Sequence, residues 1–293
     1  AIIMHERTSF TENTVTLTAP VTSANIIPPG EDVAAGTLLV PKGKILTASD
    51  LALIAGQGIA EIGVYKKLSI GLISTGSELL NTGSPLEYGK IYNTNPYLLG
   101  GYIQKHHMTA NYLNTVSDDL DSLCRAVLEA LKTNDIVITT GGVSAGDFDY
   151  MPEVIRRIGG DLLFHRLKFK PGGAMLGAFK DGKVILGLSG NPGAAATGLL
   201  CVGFPFMRKL SGRSDITFSQ TTAYLGVDFK KSSPVTRILK GHSDFKNGML
   251  YFTPLSNQHN GSVSSMSDCD LLAIIPAGSK PLATGDKLEV YIL

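Results

Sequence analysis

The chain has 293 residues, of which 43% are hydrophobic and 17% are charged, and its formal net charge is +1. This length favours two or three domains, and the hydrophobic content is enough for a sizeable buried core. The near balance of acidic and basic residues argues against a broad binding surface for nucleic acid or for a membrane.

Cysteine usage and the lack of long apolar runs indicate where the protein resides. Cys124, Cys201 and Cys269 are far apart and form no CxxC pair, which fits a reducing compartment and gives no sign of a zinc site. No signal peptide is recognisable, and the most apolar stretch, 199–207, is too short to span a bilayer. The absence of an initiating methionine favours a truncated chain over a processed native start. We predict a cytoplasmic protein that binds neither nucleic acid nor membrane.

The first 65 residues predict a β-rich segment with one short helix. The polar cluster from Thr47 to Asp50 precedes an apolar run and predicts the start of that helix, which Gly56 and Gly58 end. Strands are predicted at 1–4, 14–18, 37–41 and 62–65.

From residue 66 the pattern alternates between strands and helices, which is typical of a parallel sheet covered by helices. The strand at 135–140 is apolar through its middle, and we therefore predict that it is central. The predicted strands are 68–74, 110–116, 135–140, 162–167 and 184–188, and the predicted helices are 95–106, 118–132, 151–158 and 192–210.

After residue 216 the pattern becomes all-β, with turn residues about every ten positions, which predicts a small barrel or sandwich. Its predicted strands are 221–225, 236–240, 250–253, 271–275 and 288–292.

Polar and glycine residues directly follow several apolar strands of the α/β region. These loops are 74–78, 117–119, 139–149 and 189–192. Ligands of an open parallel sheet bind outside the carboxyl ends of its strands, so we expect all four loops to meet at one edge. That convergence predicts a ligand site.

The glycine-rich loop 139–149 is a candidate anion-binding element. Gly141, Gly142 and Gly146 allow the backbone to approach a ligand and to direct N–H groups at it, with Ser144 beside them. Helix N-termini after Asn191 and after the glycine loop would add a partial positive charge. The alternative is an ordinary tight turn.

Four acids stand at the ends of predicted strands: Glu78, Asp118, Asp147 and Asp149. Clustered carboxylates repel one another unless a cation neutralises them, and Mg²⁺ is the usual partner. Asp118 and Asp149 also precede helices, so each is alternatively a helix cap.

Three basic residues alternate along one predicted strand, so Arg166, Lys168 and Lys170 should share one face. They are candidate contacts for phosphate or another oxyanion, although such a run is alternatively a solvated face. His106 and His107 end a predicted helix, and we expect both at the surface.

Taken together, the ordered set of motifs resembles the molybdopterin molybdenumtransferases, which include the MoeA proteins and the gephyrin E-domain. The resemblance covers essentially the whole chain, and the collinear set is specific although each motif alone is weak. The motifs are Gly30-Glu31-Asp32, Ser74-Thr75-Gly76-Ser77-Glu78-Leu79, Ile91-Tyr92-Asn93-Thr94-Asn95, Asp118-Asp119, Thr140-Gly141-Gly142-Val143-Ser144-Ala145-Gly146 and Gly190-Asn191-Pro192.

This resemblance implies a three-layer α/β molybdopterin-binding domain flanked by a β-rich elongated segment and a small C-terminal β-barrel. It implies the end of an insert domain at 1–27, part of an elongated β-rich domain at 28–65, the molybdopterin-binding domain at 66–215 and the barrel at 216–293. It also implies a further N-terminal portion, including an Asp-Gly motif and a threonine of the site, that is absent here.

The activity that the resemblance implies is insertion of molybdate into adenylylated molybdopterin with release of AMP and with Mg²⁺ as the cation. A molybdopterin adenylyltransferase would act upstream, and the protein would be a homodimer. The implied catalytic residues are Glu78, Asp118, Asp149 and Lys170, and the implied metal ligands are Glu78, Asp147 and Asp149. The implied pterin- and nucleotide-binding residues are Thr75, Gly76, Asn95, Gly141, Gly142, Ser144, Gly146, Arg166, Lys168, Ser189, Gly190, Asn191, Pro192 and Ser265, with Ser264 as the alternative to the last.

Departures from the family pattern keep other functions open. Ser77 replaces the aspartate of STGDEL, Gly173 and Ala174 replace Lys-Pro, Ser189 replaces the proline of PGNP, and Arg166 replaces a lysine of some members. One alternative is a non-catalytic molybdopterin carrier or scaffold; another is a nucleotide pyrophosphatase of the competence-damage-inducible type. The choice between molybdate and tungstate stays open, because both are tetrahedral oxyanions of similar size.

Overall fold

The computed structural model describes residues 2–20, 26–143 and 150–293. The chain divides into two compact units, Ala1–Ile62 and Gly63–Leu293. None of the helices in the described ranges has the length and apolar character needed to cross a membrane.

The first unit contains a short antiparallel hairpin and one helix. Strand β1 (Thr8–Phe10) pairs with β2 (Val15–Leu17). Strand β2 confirms the strand predicted at 14–18, whereas β1 was not predicted and residues 2–4 belong to no described strand. The strands predicted at 37–41 and 62–65 are wrong, because no described strand pairs with either segment. An extended segment without a partner leaves its backbone hydrogen-bonding groups to solvent.

Helix α1 (Ala48–Gly56) confirms the helix predicted from the polar cluster before it. Thr47 and Asp50 form a capping box, in which Asp50 Oδ2 accepts from the Thr47 amide at 2.9 Å. The Lys44 ammonium donates to the other carboxylate oxygen at 2.6 Å. The hydrogen bond from Lys44, followed by those from Thr47, lowers the pKa of Asp50 to about 2.

The second unit opens with an α/β region. Its strands are β3 (Ser69–Ser74), β4 (Leu79–Leu80), β5 (Ile91–Tyr92), β6 (Thr109–Tyr112), β7 (Ile136–Thr140), β8 (Asp161–His165), β9 (Phe169–Lys170), β10 (Leu176–Lys180) and β11 (Lys183–Leu188). Its helices are α2 (Asn95–Lys105), α3 (Leu120–Thr133), α4 (Met151–Arg157), α5 (Pro192–Gly198) and α6 (Phe204–Leu210), and a π-helical turn, Leu199–Gly203, joins the last two.

The main sheet has the strand order β6-β3-β7-β11-β10-β8, so β7 is central as predicted. The first four strands are parallel, whereas β10 is antiparallel to both of its neighbours. The predicted all-parallel sheet is therefore corrected to a mixed one. The missed strand β10 forms a hairpin with β11 through Asp181-Gly182, both at positive φ, and Asp-Gly is a strong hairpin signal.

Helices cover both faces of this sheet, because successive side chains of a strand point to opposite faces. Ile70 and Leu72 of β3 pack with α2, α5 and α6, whereas Ile73 packs with α3 and α4. The three-layer α/β prediction is confirmed.

The C-terminal region is a closed barrel of β12 (Gln220–Leu225), β13 (Thr236–Lys246), β14 (Met249–Pro254), β15 (Leu271–Ile275) and β16 (Lys287–Ile292). The ring β14-β12-β16-β15-β13 closes through pairing of β13 with β14. Phe252, Leu271 and Val290 are among its buried core residues. Strand β9 pairs in parallel with the first two residues of β13, Thr236 and Arg237. The predicted small barrel is confirmed.

His106 is partly buried, so the prediction that it lies at the surface is wrong. Its ring packs edge-on against Phe204 and Phe218, with centroid distances of 4.4 and 5.3 Å. Arg208 Nη2 lies 3.4 Å from His106 Nδ1. Burial, followed by the charge of Arg208, lowers the pKa of His106 to about 4. The apolar spacing of α2 did not reveal this contact, because the aromatic partners come from residues more than ninety positions later.

We expect stability to fall as His106 is forced to take a proton. The folded pKa is about 4 and the ordinary value is 6.5, so the stabilisation is complete above pH 6.5 and declines from there towards pH 4. The loss should be roughly 2 kcal/mol, discounted for partial exposure. Urea unfolding at several pH values should show this slope in the wild type and lose it in His106→Phe. His107→Asn, at an exposed position with positive φ, should keep it; equal slopes in all three proteins would contradict the assignment.

Candidate active site

The loops after β6, β3, β7 and β11 meet at one edge of the sheet, because these strands are parallel. The amide of Thr75 donates to Thr140 O at 2.9 Å, and that of Gly141 donates to Leu188 O at 3.0 Å. Thr75 also forms a parallel bridge with Val116. The predicted convergence of the four loops is therefore confirmed.

Gly141 and Thr75 lie in close contact at the centre of this edge. Gly141 has φ +100°, and a Cβ there would lie 2.7 Å from Thr75 O and closer still to Thr75 Oγ1. Thr75 is 5% exposed, and its hydroxyl has no hydrogen-bond partner among the described residues. The glycine thus lets two loops touch over a buried hydroxyl.

A second buried polar atom without a partner belongs to Asn95, the first residue of α2. Its Nδ2 donates to Gly190 O at 2.8 Å, which ties α2 to the loop after β11. Asn95 is 5% exposed, and its Oδ1 finds no partner within the described part of the chain. Native proteins rarely bury a polar atom without a partner, so both atoms are candidate contacts for a bound ligand or water.

Two of the predicted acids lie at the loop after β3: Glu78 belongs to it, and Asp118 contacts it. Asp118 Oδ2 accepts from the Ser77 amide at 3.2 Å. The Glu78 carboxylate folds over Gly76, where a Cβ would lie 2.8 Å from each of its oxygens. The alternative in which Asp118 caps α3 is wrong, because Asp119 is the cap and accepts from the Ser122 amide at 2.8 Å. Asp118 is therefore available for ligand contact.

The remaining predicted residues of the glycine loop, Ser144, Gly146, Asp147 and Asp149, lie outside the described residues. Within the described ranges, no group of three or more His, Cys, Asp and Glu side chains is placed to hold a metal ion. The described part of the predicted metal site consists of Glu78.

Sequence reasoning missed two residues beside these loops. The Lys90 ammonium donates to Ser77 O at 2.6 Å and brings a positive charge to the acidic loop. Asn93 is 7% exposed and links Ser74, at 3.3 Å, to Thr115, at 3.2 Å, beneath the edge. Asn93 stood inside a recognised motif, whereas nothing in the pattern around Lys90 indicated its contact.

The basic segment differs from its prediction. Strand β8 ends at His165, Arg166 has φ +66°, and Lys170 lies in β9, which pairs with the barrel. The three basic residues therefore do not alternate along one strand, because the left-handed turn at Arg166 breaks it. The pairing of Leu176 with Gly187 still places the segment at the carboxyl end of β11.

The loop after β11 leads directly into α5. The Asn191 amide donates to Ser189 Oγ at 3.2 Å, and Pro192 occupies the first turn of the helix. Gly190 approaches Gly141, with a Cβ position 3.6 Å from Gly141 Cα. The loop therefore lies against the glycine turn, as its position after a neighbouring parallel strand predicts.

Of the two candidate serines in the barrel, Ser265 is the buried one. It is 1% exposed, and its hydroxyl donates to Ser262 O at 2.7 Å. It lies beside the first turn of α5, where a Cβ on Gly193 would be 3.3 Å from its oxygen. Ser264 is exposed and pairs with Ser262 Oγ at 2.9 Å.

Comparison with known proteins assigns this arrangement to a family. Residues 71–209 match the model of a probable molybdopterin binding domain, 222–293 that of the MoeA C-terminal region (domain IV), and 1–58 that of the MoeA N-terminal region (domain I and II). The chain is 34% identical over 293 residues to the molybdopterin molybdenumtransferase of Staphylococcus aureus (strain MRSA252), covering all of this chain and 70% of that protein. The chain belongs to the molybdopterin molybdenumtransferase family.

Further relatives agree with this family assignment. The molybdopterin molybdenumtransferase of Bacillus subtilis (strain 168) is 35% identical over 272 residues, which is 93% of this chain and 63% of that protein. The fold is similar to the crystal structure of the molybdopterin biosynthesis MoeA protein from Pyrococcus horikosii. That match has a TM-score of 0.83 and 25% identity, and it covers 99% of this chain and 71% of the other. Molybdopterin molybdenumtransferases are transferases of molybdenum cofactor biosynthesis, and the matches outside 71–209 leave the pyrophosphatase alternative without support.

The structure explains one departure from the family motif. A Cβ on Gly173 would collide with the carbonyl oxygens of Leu167 and Phe169, and a Cβ on Gly172 would lie 2.7 Å from Gly198 N. A side chain at 173, including the lysine that the resemblance led us to expect, does not fit unless the 167–169 turn moves. At two other departures, the Ser189 hydroxyl accepts from the Asn191 amide, and the Ser77 backbone donates to Asp118 and accepts from Lys90.

Proposed function

We propose that this chain inserts molybdenum from molybdate into the dithiolene of adenylylated molybdopterin and releases AMP. The observation that carries the proposal is the pair of buried, unpartnered side-chain oxygens, Thr75 Oγ1 and Asn95 Oδ1, at the edge where the four loops meet. An unpaired buried polar atom costs about 1–3 kcal/mol. A polar ligand bound at this edge would remove that cost, and the hydroxyls, amides and phosphates of a pterin nucleotide supply suitable partners.

The acids at this edge of the sheet would bind the metal ion and accept a proton during cleavage of the phosphoanhydride. Mg²⁺ commonly binds through one or two carboxylates together with substrate phosphate oxygens, which the donors Glu78 and Asp118 fit. Asp147 and Asp149 are proposed as further acids of the site. The ion would neutralise phosphate charge, while a carboxylate accepts the proton of the water that attacks the phosphoanhydride, with AMP as the leaving group.

Positive charge and backbone amides would stabilise the developing anion. We assign this role to Lys170, with Arg166 and Lys168, and to the amide of Gly142, since the Gly141 amide already donates to Leu188 O. Lys90 is a further source of positive charge, since its ammonium already lies on the loop that binds Asp118.

Incubation of the chain with adenylylated molybdopterin, Mg²⁺ and molybdate should release AMP in a molybdate-dependent manner. Chromatography of the nucleotide and metal analysis of the pterin would measure the two products, with molybdate omitted as the control. Tight binding of the pterin nucleotide with no AMP would favour the carrier alternative. That alternative is supported by Ser77 and Gly173, which remove one acid and one lysine from the family pattern.

We also propose the domain boundaries 1–27, 28–65, 66–215 and 216–293. The family matches at 71–209 and 222–293 support the boundaries near residues 66 and 216. A homodimer, a cytoplasmic location and a molybdopterin adenylyltransferase that supplies the substrate complete the proposal.

A further inference from the structure

Lys240 is a buried cation without a buried anion beside it. It lies on barrel strand β13 and is 0% exposed. Its ammonium donates to two neutral oxygens, Ser265 Oγ at 2.5 Å and His259 O at 3.2 Å. None of the ion pairs in the described ranges involves it. Burial of a charge without a counter-charge is costly, and burial lowers the pKa of this lysine. An apolar side chain would avoid that cost, so stability alone does not explain a lysine at this position.

The backbone of Lys240 also forms hydrogen bonds with the barrel loop 255–265, which its ammonium contacts at His259 and Ser265. The Lys240 amide donates to Gln258 Oε1 at 3.1 Å, and Gln258 Nε2 donates back to Lys240 O at 2.7 Å. The Leu255 amide also donates to Lys240 O, at 2.9 Å. One residue therefore anchors the barrel loop 255–265 from its beginning to Ser265.

This barrel loop in turn caps the helix that follows the site. Asn260 O accepts from the amides of Gly193 and Ala194, at 2.7 and 3.3 Å. Gly193 leaves room for the contact, because a Cβ there would lie 3.0 Å from Asn260 O and 3.1 Å from Lys240 Nζ. The first turn of α5 directly continues the loop 189–192 at the edge of the sheet.

We propose that Lys240 is a positioning residue, which fixes the barrel loop 255–265 against the first turn of α5 and so places Ser265 and the loop 189–192 for the substrate. The contacts form a continuous path from the ammonium to Asn260 and on to the loop after β11. The lysine touches no reacting group, so its effect on the reaction passes through the residues that it holds. Only the kinetic part of this inference rests on the proposed function.

Lys240→Met keeps an unbranched side chain that is only one atom shorter, and it removes the ammonium together with both of its hydrogen bonds. We expect amide hydrogen exchange in peptides covering 189–198 and 256–267 to accelerate about tenfold or more, because the loop loses its anchor. The thermal midpoint should stay the same or rise, since a buried charge has been removed. The KM for molybdate should rise about tenfold while kcat changes less than about threefold. A merely structural lysine would not produce this combination.

Lys246→Met is the matched control, because Lys246 lies on the same strand, is exposed and pairs with Asp244. It should leave exchange and kinetics unchanged. Unchanged exchange of both segments in Lys240→Met would overturn the inference. If the wild type releases no AMP, the proposed function fails, and the exchange data alone still decide the role of Lys240.

A second variant covers the case in which Lys240→Met does not fold. Gln258→Leu removes the contact of the loop with the Lys240 backbone and leaves the ammonium in place. It should accelerate exchange in the same two segments, and normal protection there would also overturn the inference.

Discussion

Asp118→Asn should lower the rate of AMP release at least about a hundredfold, the usual size of a lost acid–base or metal-binding carboxylate. The fold should persist, because the carboxamide oxygen can still accept from the Ser77 amide that Asp118 binds at 3.2 Å. The substitution therefore removes the negative charge and little else. Pterin binding should be largely kept, which equilibrium dialysis would measure beside the AMP assay.

The adjacent residue offers a matched control for this experiment. Asp119 caps α3 through the Ser122 amide, and its hydrogen bonds to Ser117 and Ser122 lower its pKa to about 2. Asparagine is an equally good cap, so Asp119→Asn should release AMP at nearly the normal rate. Equal loss in both variants, or turnover retained in Asp118→Asn, would remove Asp118 from the mechanism.

Gly141→Ala should destabilise the protein by about 3 kcal/mol, because a methyl group there combines backbone strain with steric overlap. Gly141 has φ +100°, and the added Cβ would lie 2.7 Å from Thr75 O, a backbone atom that cannot move aside freely. The melting temperature should drop by roughly 5–10 °C in calorimetry. AMP release should fall as well, since the loop that carries Thr75 is displaced.

Gly101→Ala is the control for this glycine. Gly101 lies in α2, is exposed, and has nothing within 4 Å of an added Cβ. Alanine is the better helix former, so that variant should be as stable as the wild type or slightly more stable. A melting temperature of Gly141→Ala equal to that of Gly101→Ala would mean that the loop does not need its left-handed conformation.

Much of the fold was predictable because its patterns are local. The spacing of Leu123, Val127 and Leu131 indicated α3, and alternation with regular turns indicated the barrel. The convergence of the four loops followed from parallel strands, without knowledge of any contact. These features depend on neighbours in the sequence or on a general rule of sheet topology.

Two errors were local, and the features that could not be predicted depend on distant parts of the chain. Strand β10 was missed because its residues do not alternate between apolar and polar, although the dipeptide Asp181-Gly182 is typical of a hairpin turn. The cap of α3 was misplaced by one residue between two adjacent aspartates. The buried state of Lys240 could not be read from its strand, since the acceptors that hold it come from 259 and 265.

The two-residue strand β9 has a consequence for anyone who would exchange parts between relatives. Its residues belong to the α/β half in sequence, yet they hydrogen-bond to Thr236 and Arg237 of the barrel. Removing the C-terminal barrel would leave β9 without its paired strand, so the segment that carries Lys170 would lose these backbone hydrogen bonds. A chimaera with a foreign barrel must therefore reproduce the pairing of β9 with β13, or Lys170, a proposed site residue, will lose its backbone support.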